Sequence, residues 1–85
     1  MQIITSNTPR LDLHGETVSM VEVLVNDFIK YNILLKEPLV IIIHGKSTNI
    51  ITNEVHKVLN KNKNVKGYKK NNWNLGETIV ELKTL

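Results

Sequence analysis

The 85-residue chain contains no cysteine and no long apolar run. Without cysteine, neither disulfide bonds nor thiolate-held zinc can stabilise the fold, which suits a reducing compartment. The longest apolar run, Leu39 to Ile43, is far too short to cross a membrane, and no charged-then-apolar leader opens the chain. We therefore expect a cytoplasmic protein without a membrane partner.

The length of the chain leaves room for one hydrophobic core, and a hydrophobic content of 41% is enough to build it. Residues 1–10 show no sustained hydrophobic period, so we expect an N-terminal arm or linker there. Residues 11–85 are predicted to form a single domain.

Acidic residues are absent from residues 57–70, although this stretch contains six lysines. Such a stretch attracts polyanions by displacing condensed counterions, whereas a solvated lysine-rich surface explains the charge equally well. Within it, we expect nucleic-acid contacts from Lys66, Lys69 and Lys70.

Hydrophobic periodicity predicts an α/β fold with the order β-α-β-α-β-β. Leu39 to Ile43 is typical of a strand buried on both faces. A capping box at Ser19–Glu22 marks the start of the first helix, and Ser47, Thr48 and Asn49 offer cap oxygens before the second. The remaining segments are predicted as strands over 11–13, 65–68 and 78–82, with a polar loop over 69–76.

Two histidines follow the strands that the first helix connects. Strands joined by a helical crossover are almost always parallel and share one sheet. The first strand ends at Asp12-Leu13-His14 and the second at Ile43-His44. Both imidazoles are therefore predicted at the carboxyl edge of the sheet, where open α/β sheets bind ligands.

The segment His44-Gly45-Lys46-Ser47 lies between a predicted strand and a predicted helix. Gly45 allows close approach of the backbone, the helix N-terminus offers N–H donors, and Lys46 adds a positive charge. These features indicate phosphate binding by Gly45, Lys46 and Ser47. The alternative is an ordinary turn with an incidental histidine and lysine.

Asp12 and His14 are two residues apart in a strand and point to the same face. A carboxylate placed in this way can orient an imidazole and raise its basicity. The alternative is that Asp12 caps a turn and that His14 is a partly buried surface residue.

Two imidazoles, a carboxylate and a lysine suit cleavage of a phosphodiester by general acid and base. We expect Asp12, His14 and His44 to be catalytic, with Lys46 stabilising the developing charge. On RNA the neighbouring 2′-hydroxyl can be the nucleophile, so no cofactor is required. A divalent metal held by the same three residues is the alternative, although no ligand spacing specifies one.

Three other residues carry weaker signals. We expect His56 to be a surface residue and Tyr68 to pack at a strand end. Trp73 lies in a polar segment and is expected to fold back over the end of the sheet, and the alternative is that it stacks on a nucleic-acid base.

Three motifs resemble those of the Smr domain, a small module related to MutS proteins. They are Leu11-Asp12-Leu13-His14-Gly15, Ile42-Ile43-His44-Gly45-Lys46 and Gly76-Glu77-Thr78-Ile79-Val80-Glu81-Leu82. The resemblance implies an α+β two-layer sandwich similar to the C-terminal domain of translation initiation factor three. It also implies nucleic-acid binding and endonuclease activity, with functional roles for Asp12, His14, His44, Gly45 and Lys46.

The chain departs from the family where the central motif usually continues Gly-x-Gly-x-Leu-Arg. Ser47, Asn49, Ile51 and Thr52 stand at those four positions, so two glycines and one arginine are missing.

Three functions stay open. We favour an endonuclease acting on RNA or DNA. The second is a module that binds nucleic acid without cutting it, and the third is a segment that docks on a ribosome or on a larger MutS-like protein.

Overall fold

The computed structural model describes residues 4–46, 49–71 and 73–84. They form an α+β sandwich in which two helices and a four-stranded mixed sheet follow the predicted order. The elements are β1 (Arg10–Asp12), α1 (Val18–Leu34), β2 (Leu39–Ile43), α2 (Ile50–Lys61), β3 (Val65–Asn71) and β4 (Asn74–Leu82). The strand order across the sheet is β1-β2-β4-β3.

The core lies between the helices and one face of the sheet. In α1 the buried residues recur every three or four positions and include Val21, Val25 and Ile29, as expected for one face of a helix. Helix α2 contributes Val55, Val58 and Leu59 in the same way. The strands supply the opposite side of the core, chiefly through Val40, Ile42, Val80 and Leu82.

The central strand is the one that the sequence predicts, Leu39–Ile43. Strand β1 pairs with it in parallel, with Asp12 in register with Ile43, which confirms the expected crossover. Strand β4 pairs with its other side in the antiparallel direction. Residues of the predicted N-terminal arm also pair with β2, because the Ile41 N–H donates to the Pro9 carbonyl at 2.9 Å.

The predicted polar loop over residues 69–76 is wrong. Strand β3 continues to Asn71 and β4 begins at Asn74, so the two strands form a tight hairpin. Asparagine side chains support the bend, because the Trp73 N–H donates to Asn71 Oδ1 and the Gly76 N–H donates to Asn74 Oδ1, both at 3.0 Å. Polar residues that suggest a loop are here part of the hairpin.

The predicted start of α1 is also wrong. The helix begins at Val18 after an extended Thr17, so Ser19 is a helical residue and does not form a capping box with Glu22. Before α2, Asn49 takes the N-cap position without a side-chain hydrogen bond, and the other two candidate caps, Ser47 and Thr48, lie outside the described residues. Neither helix, as far as the chain is described, has the length and hydropathy of a membrane span.

Candidate functional site

The ends of three strands meet at the carboxyl edge of β1 and β2. The Leu13 N–H donates to the Ile43 carbonyl at 2.7 Å, which places the turn after β1 beside the turn after β2. On the other side of β2, the first residues of β4 lie beside His44 and Gly45. Helix α2 also begins at this edge, so its unpaired N–H groups contribute a partial positive charge there.

The first turn holds Asp12 and His14 close together through the backbone. Asp12 Oδ1 accepts a hydrogen bond from the His14 N–H at 2.8 Å. The Glu16 N–H donates to the Leu13 carbonyl at 3.0 Å, and Gly15 between them has a φ of 85°, a conformation that favours glycine. Asp12 thus fixes the turn that presents the exposed His14, as in the turn-capping alternative.

The second turn is fixed by β4. The N–H groups of His44 and Gly45 both donate to the Gly76 carbonyl, at 2.9 and 3.0 Å. Gly45 has a φ of 88°, and Lys46 after it is exposed. A Cβ atom on Gly76 would lie 3.2 Å from Lys46 Cγ and 3.4 Å from the Gly45 carbonyl carbon, so a glycine there lets β4 and this turn approach closely.

His44 is buried, with only 6% of its surface exposed, and both of its ring nitrogens have partners. Nδ1 lies 2.8 Å from Thr52 Oγ1 and 3.1 Å from the Gly45 carbonyl oxygen. Nε2 lies 2.8 Å from Thr78 Oγ1. In the family that the sequence motifs resemble, an arginine usually occupies the position of Thr52. In this chain the buried hydroxyl of Thr52 contacts His44 instead.

A second histidine joins this network from α2. His56 Nε2 lies 2.9 Å from the same Thr78 Oγ1, and its ring is 4.8 Å from the ring of Tyr68. The Tyr68 hydroxyl in turn donates to Asn60 Oδ1 at 2.9 Å. His56 is thus half-buried and hydrogen-bonded where a surface residue was expected. Tyr68 packs against the core, although in the middle of β3 and not at a strand end as expected.

One arrangement of protons uses all of these contacts. The Gly45 carbonyl can only accept, so a proton on His44 Nδ1 suits it, and His44 Nε2 then accepts from the Thr78 hydroxyl. The Thr78 oxygen in turn accepts from the Nε2–H of His56. Because a hydroxyl has one proton to give, Thr78 cannot donate to both histidines, and the tautomers of the two rings are coupled.

The network disfavours a charge on His56. Burial lowers its pKa below the ordinary value of 6.5, and electrostatic repulsion from the neighbouring His44 and Lys70 lowers it further. His56 therefore stays neutral to a lower pH than an exposed histidine does.

The predicted phosphate-binding lysines lie on two faces of the sheet. Lys70 is in register with Thr78, and cross-strand partners share a face, so it lies on the side of the histidines. Lys69 is in register with Ile79 on the opposite face, where Lys66 Nζ also lies 3.8 Å from Glu81 Oε2. Only Lys70 of these three lies on the same face as His44 and His56.

The structure thus brings together most of the predicted site. Asp12, His14, His44, Gly45 and Lys46 lie on the two adjacent turns. Ser47 lies outside the described residues. Within those residues no three histidine and acidic side chains come together as a possible metal site.

Three residues of the network were missed by the sequence-based reasoning. Threonines such as Thr52 and Thr78 are common in folded chains and do not by themselves indicate a site. His56 is 22 residues from Thr78, which it contacts. The position of Thr52 in the family's central motif was the signal that could have drawn attention to it.

Trp73 also differs from expectation. It does not fold back over the sheet but is 97% exposed at the tip of the hairpin.

Comparisons with known proteins agree with this fold. The sequence pattern of the Smr domain matches residues 11–83. The Smr domain of Thermus thermophilus MutS2 superposes with a TM-score of 0.85 at 23% identity, covering 89% of this chain and 99% of that chain. YdaL, a stand-alone small MutS-related protein from Escherichia coli, superposes with a TM-score of 0.85 at 24% identity, covering 92% of this chain and 66% of YdaL. Curated protein sequences give no match.

Acid should destabilise the fold through His56. Above the ordinary pKa of 6.5 both folded and unfolded His56 are neutral. At lower pH the unfolded chain takes up a proton before the folded chain does, so the free energy of unfolding falls. In His56→Gln, whose amide can contact Thr78 but cannot titrate, chemical denaturation should show a smaller decline below this pH. The exposed His14→Gln variant should follow the wild type, and an unchanged decline in His56→Gln contradicts the assignment.

Proposed function

Because this chain belongs to the Smr domain family, we propose that it binds nucleic acid at the carboxyl edge of its sheet and cleaves the phosphodiester backbone there. The observation that carries the proposal is the parallel pairing of β1 with β2. It sets Asp12 in register with Ile43, so the turn bearing His14 lies beside the turn bearing Gly45 and Lys46.

Phosphate binding rests on the second turn. The backbone at Gly45 is free of a side chain, Lys46 is exposed, and the N-terminal end of α2 follows closely in the chain. Together these groups supply N–H donors and a full positive charge to one small area. Lys70 adds a second cation on the same face of the sheet as the histidines.

Cleavage rests on His14. Its imidazole is exposed on a turn that the Asp12 carboxylate stabilises, so it can reach a bound backbone and act there as a general base. In the proposed reaction on RNA, the 2′-oxygen attacks phosphorus while His14 takes the hydroxyl proton. The bond from phosphorus to the 5′-oxygen then breaks, and Lys46 stabilises the charge that develops on the phosphate oxygens.

His44 has a different part in this reaction. Both of its ring nitrogens are occupied, so it holds the Gly45–Lys46 turn in place between α2 and β4. The leaving 5′-oxygen takes its proton from water.

Binding without cleavage is the second candidate, and the environment of Thr52 favours it. Thr52 is buried and bound to His44 at the position where the family usually has an arginine. The site therefore has one cation fewer to stabilise a transition state, although Gly45 and the exposed Lys46 are still available to bind phosphate.

Binding should depend strongly on salt. Anisotropy titrations of a labelled oligonucleotide should give affinities that fall steeply with salt concentration. Lys46→Ala and Lys70→Ala should each reduce the slope of log K against log salt by about one, since each removes a phosphate contact. Lys30→Ala, which changes an exposed lysine of α1, is the matched control and should leave the slope unchanged.

A flat salt response, or an equal effect of all three substitutions, contradicts an interface at this edge. Binding to ribosomes without any affinity for free nucleic acid would favour a docking role instead.

Cleavage should depend on His14 and on the 2′-hydroxyl. With single-stranded RNA as substrate, His14→Ala should lower the rate on the order of 100-fold or more. A single 2′-deoxy substitution at the cleaved position should protect that bond, and a chelator should have no effect.

His44→Gln tests the second histidine, because it keeps hydrogen-bonding groups but transfers no proton. A rate close to the wild type supports a positioning role. Equal product from His14→Ala and the wild type refutes the cleavage mechanism, and wild-type protein that binds RNA without cutting it establishes the second candidate.

A further inference from the structure

Trp73 is the feature that the proposed phosphate site leaves unexplained. It is the only tryptophan of the chain, and 97% of its surface is exposed at the tip of the β3–β4 hairpin. Tryptophan carries one of the largest apolar surfaces of any residue, and covering it is strongly favourable. A solvent-exposed indole ring can stack against a planar ligand.

The hairpin holds the backbone beneath this ring in a defined conformation. Asn71 and Asn74 pair across the turn, and the Trp73 N–H donates to Asn71 Oδ1 at 3.0 Å. The Asn71 amide also donates to Glu77 Oε1 at 3.0 Å, which ties the end of β3 to β4. The indole is therefore attached next to two strand ends that hydrogen bonds hold together.

The same hairpin is joined to the proposed phosphate site. Gly76, three residues after Trp73, accepts hydrogen bonds from the N–H groups of His44 and Gly45. At roughly 3.4 Å per residue along a strand, Trp73 lies about 10 Å from this contact. Lys46 is next to Gly76, and Lys70 lies on the adjacent strand. Two lysines therefore lie near the segment that joins the indole to the proposed phosphate site.

We propose that Trp73 stacks on an unpaired base of a single-stranded nucleic acid whose backbone lies on Lys46 and Lys70. A base inside a duplex already has both faces covered by its neighbours, whereas an unpaired base offers a free face to an aromatic ring. Charge complementarity with the lysines favours a polyanion over an apolar partner. The inference rests on the proposed nucleic-acid binding but not on cleavage.

Tryptophan fluorescence tests this directly, because Trp73 is the sole source of the signal. Titration of the full chain with single-stranded oligouridylate should quench the emission. A DNA duplex whose ends are closed by linkers without bases, and an abasic oligomer carrying only sugar and phosphate, should bind without quenching.

Affinity measurements with substituted chains supply the second readout. Trp73→Ala should weaken binding of oligouridylate about tenfold, while Trp73→Phe, which keeps an aromatic face, should retain most of the affinity. Neither substitution should change binding of the abasic oligomer. Because the residue is exposed, both variants should unfold at the same denaturant concentration as the wild type.

Several results would overturn the inference. If Trp73→Ala binds oligouridylate as tightly as the wild type, or if the duplex quenches the emission equally, Trp73 does not stack on an unpaired base. Either result is still compatible with the proposed phosphate binding. Emission that changes with protein concentration alone shows that a second copy of the chain covers the ring. Absence of binding to all three ligands refutes the phosphate site as well.

Discussion

The carbonyl oxygen of Gly76 accepts hydrogen bonds from two consecutive N–H groups, those of His44 and Gly45. These two bonds tie the end of the central strand to the start of β4 and set the position of the turn that carries Lys46. They also bring the buried His44 ring against Thr78, two residues further along β4, at 2.8 Å. The geometry of the proposed phosphate site depends on this junction between antiparallel strands.

The two histidines of the motifs occupy opposite environments and therefore suit different tasks. His14 is exposed on a turn, whereas the ring nitrogens of His44 contact two buried threonines. An exposed imidazole can exchange protons with a ligand, and a buried, fully bonded one rigidifies the backbone around it. Thr78 links His44 to His56, so the protonation of one ring constrains the other across the interface between α2 and the sheet.

The relative placement of the two turns was predictable because a strong local sequence pattern could be combined with a topological rule. The apolar run of β2 and the helical crossover placed the two turns side by side, and the parallel register of Asp12 with Ile43 confirms this. The three motifs likewise indicated the correct family and sandwich fold. The β3–β4 hairpin was not predictable, because side-chain hydrogen bonds of Asn71 and Asn74 stabilise a bend in a segment whose composition is typical of a loop. The contact between His56 and Thr78 was not predictable for another reason, because it forms where α2 packs on the sheet, and no local sequence period reveals which strand residue lies beneath a helix.

In our proposal, nucleic acid binds at the edge formed by the two turns and the hairpin. Amide chemical shifts of the ¹⁵N-labelled chain, recorded while single-stranded RNA is added, test it most directly. We expect the largest changes on residues 14–16, 44–46 and 73–76, and little change in α1. Largest changes on the outer surface of α1, or around Lys66 on the opposite face of the sheet, would contradict it.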